Sequence, residues 1–289
     1  MTPENQAESH HGQFYDPEKS KKGKKFNDQT FYVTLAGGQF AANGAVMKDD
    51  VSIGTLTIDK MPFGVAQTVI WGQAKSLYWD GILGLGLPSQ NTIKPKPQCT
   101  FASCQDGDKI FTTNFKYDNS SSSFMTFGYV DPAAKVDAGT HIPINGNPAG
   151  DAAGKWVADR VSFGSGGKIF SKAPGPLQFT TGGGWITAPF DVVDEYFKQV
   201  HGANNTGSGW THPCTEKLPG FDFIFEDSAG PKTVTISGDE LLVRPKEGDE
   251  LCYSSLKGTT LSSAGGPFFA SKYVVWDLKT PSLTIADPL

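Results

Sequence analysis

The chain has 289 residues, a formal net charge of −5 and 38% hydrophobic residues, which is enough apolar material for one large domain or two lobes. The mild acidity excludes a nucleic-acid-binding function, because such proteins neutralise phosphates with lysine- or arginine-rich surfaces. No apolar run reaches the ~18 residues of a membrane-spanning helix, so no membrane partner is predicted. The short basic cluster from Lys21 to Lys25 is interpreted as a solvated turn.

Strand-like patterns dominate the chain, which favours a mostly β fold with one or two short helices. Apolar alternation between turn residues predicts strands at these places: Val51–Ile58, Phe221–Phe225, Lys232–Ile236, Tyr273–Asp277 and Ser282–Ile285. The clear helix runs from Phe190 to Val200, with Phe190, Val193, Phe197 and Val200 on one face. A weaker helical signal lies around Asp239–Leu242.

The four cysteines are an even number, which predicts two disulfides and an oxidising compartment. A metal site built from His212 and Cys214 is the alternative, but no second close pair completes it, so no metal or cofactor is predicted. Met1 to Gln13 is polar throughout, so no secretory signal is predicted there. The sequons at Asn119 and Asn204 predict glycosylation.

Seven segments, taken in order, resemble the pepsin family of aspartic peptidases. They are Phe14–Ser20 (FYDPEKS), Val51–Ala66 (VSIGTLTIDKMPFGVA), Trp79–Gly86 (WDGILGLG), Phe124–Asp131 (FMTFGYVD), Lys155–Gly164 (KWVADRVSFG), Leu218–Phe225 (LPGFDFIF) and the tail from Tyr273 to Ala286. The resemblance covers nearly the whole chain. It implies a mostly β, bilobal, pepsin-like fold with a few short helices and a cleft between the lobes.

The resemblance also implies a domain division and a cysteine pairing. Residues 1–135 are expected to form a truncated N-terminal lobe that lacks the first Asp-Thr-Gly segment, and residues 136–289 a C-terminal lobe. Cys214 and Cys252 bracket the Leu218–Phe225 segment as a disulfide of this family does, and Cys99 with Cys104 matches the family's short oxidised loops. A secreted or lumenal, monomeric protein is expected.

The active-site turn that the resemblance implies is altered in this chain. In the family, two Asp-Thr-Gly turns bring together two carboxylates that share one proton, an effect for which this family is itself the standard example. Here the C-terminal turn is Thr180-Thr181-Gly182, and a threonine hydroxyl is no general base at acidic or neutral pH. No Asp-Thr-Gly or Asp-Ser-Gly occurs in the 289 residues.

Two further positions differ from the family pattern. Phe31–Gly38 aligns with the flap, where Leu35 replaces the family's tyrosine, although a shift in register would place Tyr32 there instead. Ser263–Gly266 replaces the family's Ile-Leu-Gly-Asp segment. No catalytic residue is therefore assigned.

Three functions remain open at this point. The first is a catalytically inactive peptidase homologue whose cleft binds a peptide or an apolar ligand. The second is a fragment of a gene for an aspartic endopeptidase. The third is a structural or interaction protein without a cleft ligand.

Overall fold

A computed structural model of the chain describes residues 15–35, 38, 40–71, 80–95, 99–116, 123–145, 154–207, 209–227, 230–243 and 250–289. The chain divides into two compact units, which we call unit 1 (Met1–Asp108) and unit 2 (Lys109–Leu289). Both are mostly β, as predicted. Among the residues that the structure describes, no helix has the length and apolar character needed to cross a membrane.

Unit 1 is built on an antiparallel sheet with the strand order β3-β2-β1-β4. The elements of this unit are β1 (Lys24–Leu35), β2 (Phe40–Ile53), β3 (Leu56–Trp71), a 3-10 turn (Pro88–Gln90), β4 (Ile93–Lys94) and helix α1 (Phe101–Cys104). Phe40 and Ala42 are buried on one face, where the alternating Phe31 and Val33 of β1 pack against them. This face forms a local apolar core.

The predicted single strand over Val51–Ile58 is wrong. β2 ends at Ile53 and β3 begins at Leu56, so the segment contains a hairpin turn. Gly54 has a φ of +59°, a left-handed conformation that glycine adopts without steric cost. The β-rich composition concealed this reversal, because the glycine at the turn was read as part of the strand.

Unit 2 contains three sheets. The eight-stranded sheet has the order β15-β14-β8-β10-β19-β11-β18, with β9 attached to β8; the other two have the orders β6-β5-β20-β21-β7 and β12-β13-β17-β16. Its strands are β5 (Ile110–Asn114), β6 (Phe124–Phe127), β7 (Thr140–Pro143), β8 (Trp156–Ser165), β9 (Lys168–Ile169), β10 (Gly175–Phe179), β11 (Ile186–Ala188), β12 (Asn204–Asn205), β13 (Trp210–Pro213), β14 (Phe221–Phe225), β15 (Lys232–Ile236), β16 (Leu242–Val243), β17 (Leu251–Ser254), β18 (Leu256–Gly258), β19 (Ser262–Ala264), β20 (Tyr273–Asp277) and β21 (Ser282–Ala286). Its helices are a 3-10 turn (Val136–Ala138), α2 (Phe190–Phe197), α3 (Gly238–Leu241) and α4 (Gly266–Ser271).

Most predicted elements of unit 2 are confirmed. β14, β15, β20 and β21 match the predicted strands, and α3 lies at the weaker helical signal. Helix α2 starts at Phe190 as predicted but ends at Phe197, and its buried face consists of Val192, Val193, Tyr196 and Phe197, whereas Phe190 is exposed. The predicted apolar face was therefore rotated by part of a turn.

The five-stranded sheet bears on how the chain is divided. It joins β5 and β6 to β20, β21 and β7, so it combines strands from both sides of residue 135. The compact unit consequently starts at Lys109. The division into lobes at residues 135 and 136 stays a prediction. The predicted lobes come from the resemblance to the family, whereas units 1 and 2 are defined by the contacts within the chain.

An aromatic core holds unit 2 together. Phe111 stacks on Trp276 with ring centroids 5.2 Å apart, and Trp156 meets Trp276 edge to face at 5.1 Å. Phe269 continues the stack on Trp276 at 5.5 Å and leads through Phe268 to Phe179 of β10. Aromatic pairs of this kind contribute ~0.5–1.5 kcal/mol beyond the area they bury. The core thus fixes the strand that leads into the candidate site.

Candidate functional site

The segment that carries the altered turn lies among four strands of the eight-stranded sheet. β10 runs parallel to β19, with Phe179 paired to Ala264, and β11 lies antiparallel to β19 and parallel to β18. We call residues Thr180–Trp185, which connect β10 to β11, the central turn. It meets the end of β19 at the point where helix α4 begins.

Two backbone hydrogen bonds hold the central turn against the segment after β19. The N–H of Thr180 donates to the carbonyl of Ala264 at 3.0 Å, and the N–H of Gly266 donates to the carbonyl of Gly183 at 2.6 Å. Within the turn, the N–H of Gly183 donates to the carbonyl of Thr180 at 3.3 Å. Two stretches far apart in sequence therefore form one compact site.

Gly265 is required by this close approach. A Cβ at this position would lie 2.1 Å from the carbonyl oxygen of Trp185 and 2.6 Å from that of Gly183. Backbone atoms cannot move aside as a flexible side chain can. In contrast, a Cβ at Gly182 or Gly184 would have no other atom within 4 Å.

A hydroxyl network braces β11 against β19. The Thr187 hydroxyl lies 2.9 Å from the Ser263 hydroxyl and donates to the carbonyl of Leu261 at 2.7 Å. Ser263 belongs to the segment that is predicted to replace the family's Ile-Leu-Gly-Asp sequence. Its hydroxyl is a hydrogen-bond partner for Thr187 of the neighbouring strand β11. These hydrogen bonds hold together β11 and β19, the two strands that meet the central turn.

The electrostatics of the site differ from those of a carboxylate pair. Residues 175–190 and 251–276, which include β10, β11, β18, β19 and α4, contain no Asp or Glu. Thr180, the residue predicted to replace the family's aspartate, is partly buried. The charged group beside the turn is a cation, Lys257 of β18, whose Nζ lies 3.6 Å from the centroid of the Trp185 ring. These two stretches therefore supply no carboxylate for acid–base chemistry of the paired-carboxylate kind.

Apolar side chains are exposed at both ends of β11: Trp185 at the end beside the central turn, and Phe190 and Leu261 at the other end. Trp185 is 42% exposed and Leu261 is 78% exposed. The exposed ring of Phe190 lies against Gly258, which is paired with Ala188. We call Trp185, Phe190 and Leu261 the apolar rim. Trp185 and Lys257 were missed in the sequence analysis. For Trp185, the available signal was a tryptophan that directly follows three glycines.

The flap positions lie in unit 1 and are described separately from the turn. Leu35 ends β1, pairs with Phe40 of β2 and is 40% exposed. Tyr32 is exposed as well and pairs with Asn43, three residues further from the end of the strand. Which of the two corresponds to the family's flap tyrosine stays a prediction.

Both predicted disulfides are present. Cys99 is bonded to Cys104 in unit 1, and Cys214 is bonded to Cys252 in unit 2. In the described part of the chain, no group of three or more His, Cys, Asp or Glu side chains could hold a metal ion. His212 is fully buried, and its Nδ1 lies 2.9 Å from the carbonyl of Pro213.

The two glycosylation predictions differ in where they fall. Asn204 is exposed in the two-residue strand β12. Asn119 lies outside the described residues. Modification of either asparagine stays a prediction.

Comparison with known proteins places this geometry in a family. The sequence profile described as "Eukaryotic aspartyl protease" matches residues 2–288. Aspergillopepsin-1 of Aspergillus flavus is 31% identical over 261 residues, which cover 86% of this chain and 61% of that protein. Aspartic endopeptidase PEP1 of Trichophyton verrucosum is 29% identical over 314 residues, covering 99% of this chain and 72% of that protein.

The fold comparison agrees with the sequence comparison. The crystal structure of an aspartic proteinase from Irpex lacteus superposes with a TM-score of 0.77 at 19% identity, over 96% of this chain and 85% of that one. At this level of identity, the match concerns the fold alone. The chain belongs to the eukaryotic aspartyl protease family.

Proposed function

We propose that this chain is a pepsin-like aspartic peptidase homologue that does not hydrolyse peptide bonds and instead binds a peptide or an apolar ligand. The observation that carries the proposal is Thr180, a neutral side chain in the position of a catalytic aspartate. Residues 175–190 and 251–276, which carry the turn and the segments that meet it, contain no Asp or Glu that could take over the acid–base role.

The expected loss of activity is large. Removing one acid–base group lowers a rate by ~10²–10⁴-fold. Groups that act as a unit lose nearly all their effect when one of them is removed. The supporting frame nevertheless remains, with its close-packed glycine at position 265 and its hydroxyl bonds between β11 and β19. Retention of this frame with exposure of the apolar rim supports a binding role.

Peptide-bond hydrolysis is the competing function, because the family and the relatives' names are those of proteases. The purified chain should be incubated with denatured haemoglobin at pH values of about 3 to 5, where a carboxylate pair that shares a proton is active, with and without pepstatin. Aspergillopepsin-1 serves as the positive control. We expect no pepstatin-sensitive cleavage; cleavage that pepstatin abolishes would disprove the proposal.

Thermal stability distinguishes ligand binding from the third function, a structural protein without a ligand. A ligand that binds the native state alone raises the melting temperature in a concentration-dependent way. Titration with apolar peptides should therefore raise the melting temperature of this chain. A melting temperature that stays constant across the peptide series would favour the structural function.

We also propose a secreted or lumenal, monomeric protein without nucleic-acid or membrane partners. Two disulfides, one in each unit, support an oxidising compartment. The net charge of −5 supports the exclusion of nucleic acid. Gel filtration of the purified protein tests the monomeric state. Thiol titration tests whether both cysteine pairs are oxidised, as an oxidising compartment requires.

A further inference from the structure

The central turn lies next to a cation, Lys257, for which the described residues provide no acidic partner. Lys257 is partly buried, and no described carboxylate lies within ion-pair distance of its ammonium group. The face of Trp185 attracts this ammonium only modestly, because a cation–π contact is worth ~0.5–2 kcal/mol. An ammonium held beside the turn by this ring attracts an incoming anion by ordinary Coulomb attraction.

The central turn also offers hydrogen-bond donors. The backbone N–H groups of Thr180 and Gly183 are used inside the site. Those of Thr181, Gly182, Gly184 and Trp185 donate to no acceptor in the described part of the protein, and neither do the hydroxyls of Thr180 and Thr181. Donors grouped at one turn, together with a nearby ammonium, are the elements of an anion site.

From these observations we propose that the central turn and Lys257 bind a carboxylate group of the ligand, with the apolar rim receiving the ligand's adjoining apolar part. The proposal rests on the proposed function, since it assumes that a ligand is held without being cleaved. One lysine and several neutral donors match a singly charged carboxylate. The C-terminal carboxylate of a peptide and a free small carboxylic acid share this chemistry.

A pair of matched peptides tests the role of the carboxylate. The probes are N-acetyl-phenylalanyl-leucine with a free C-terminal carboxylate, the same peptide as its C-terminal amide, and acetate alone, each titrated calorimetrically at neutral pH. We expect the acid to bind at least about tenfold more tightly than the amide, a difference of about 1.4 kcal/mol. Acetate that competes at similar concentrations would identify a small acid as the source of the carboxylate, whereas acetate that competes only weakly would identify the peptide C-terminus.

Variants at Lys257 test the role of the ammonium. Lys257→Met keeps the length and apolar character of the side chain, and it should lower the affinity for the acid to that for the amide without changing the latter. Lys257→Arg keeps the charge and should retain the preference for the acid. Lys168→Met is the matched control, because Lys168 also lies over an aromatic ring in unit 2, 5.4 Å from the centroid of Phe170; it should change neither affinity.

The contrary outcomes separate the two proposals. Equal binding of acid and amide, or an acid preference that survives Lys257→Met, would overturn the carboxylate site while leaving ligand binding intact. Absence of binding by either peptide would overturn it as well. Cleavage of a longer peptide by the wild-type chain would instead disprove the proposed function.

Discussion

At the scale of single residues, the candidate site combines an altered side chain, Thr180, with a tightly packed backbone position, Gly265. Thr180 is a neutral side chain at the position where the resemblance to the family predicts a catalytic aspartate. Gly265 nevertheless remains in a place where any Cβ would collide with two carbonyl oxygens. The shape of the turn therefore depends on close backbone packing at Gly265, which requires no catalytic side chain.

Replacing Thr180 by Asp should not create a peptidase. The new carboxylate would find no second carboxylate within residues 175–190 and 251–276 with which to share a proton. We expect Thr180→Asp to show no pepstatin-sensitive cleavage of a fluorogenic peptide above that of the wild-type chain. Thr180→Asn controls for the change in shape. Activity that depends on the aspartate would contradict this expectation.

Gly265→Ala should destabilise the protein by about 1–3 kcal/mol, the usual cost of forcing extra atoms into a packed site. The added methyl would lie 2.1 Å from the carbonyl oxygen of Trp185. Gly184→Ala is the matched control, because its methyl would meet no other atom within 4 Å. Urea denaturation of both variants measures the difference, and equal stabilities would show that the backbone can move apart at position 265.

Glu240→Gln should stabilise the protein at neutral pH and have no effect at acidic pH. Burial raises the pKa of the Glu240 carboxyl above its ordinary value of 4.5, although Lys116 partly opposes the shift. A raised folded-state pKa means that the native protein binds this proton more tightly, so stability is retained below pH 4.5 and lost as the pH rises through the raised pKa.

The size of this effect should be under about 1 kcal/mol, because solvent screens a partly exposed carboxylate. Urea midpoints of wild type and variant, measured at pH 4 and pH 7, provide the comparison. Glu250→Gln serves as the control at an exposed glutamate. A gain in stability of the same size at both pH values would contradict the assigned cause.

At the scale of elements, the two disulfides constrain very different lengths of chain. Cys214 and Cys252 are 38 residues apart and join the end of β13 to β17, whereas Cys99 and Cys104 are separated by five residues. Loop closure in the unfolded chain costs more entropy for the longer loop. The bond in unit 2 should therefore contribute more to stability.

Removal of each disulfide measures this difference. The double variant Cys214→Ala with Cys252→Ala should lose about 4 kcal/mol, against about 2 kcal/mol for Cys99→Ala with Cys104→Ala, by the loop-length relation. Urea unfolding followed by circular dichroism gives both values. A larger loss from the short loop would show that local packing outweighs chain entropy.

At the scale of the whole molecule, the two units differ in how much they bury. Of the twelve largest fully buried side chains among the described residues, eleven belong to unit 2, and Phe101 alone belongs to unit 1. Strand β1 of unit 1 has no buried residue, while β8 of unit 2 has seven. Local opening is easier where few apolar contacts must be broken.

Amide hydrogen exchange should therefore be faster in unit 1. We expect the amides of β1 to exchange well before those of β8 and β14, which are paired on both sides in the eight-stranded sheet. Mass spectrometry of peptic fragments from the exchanged protein resolves these strands. Equal protection of β1 and β8 would contradict the expectation.

The sequence predicted much of unit 2, and its errors have identifiable causes. The strands at residues 221–225 and 273–277 were found because their alternation matches a pleated, half-buried surface. The helix face was misplaced because Phe190 stays exposed against Gly258, a contact made by residues distant along the chain. The turn at Gly54 was missed because a strand pattern continues on both of its sides.

By itself, the sequence determined the family, the mostly β fold and the disulfide cysteines, since these depend on residue types in a fixed order, and it predicted that Thr180 replaces an aspartate. Only the tertiary structure decided what surrounds that position. Lys257 comes to lie over Trp185 because β11 and β18 run side by side, and Gly265 meets the central turn because β10 and β19 are parallel neighbours. Contacts across strands depend on register and packing, which no local pattern in the sequence specifies.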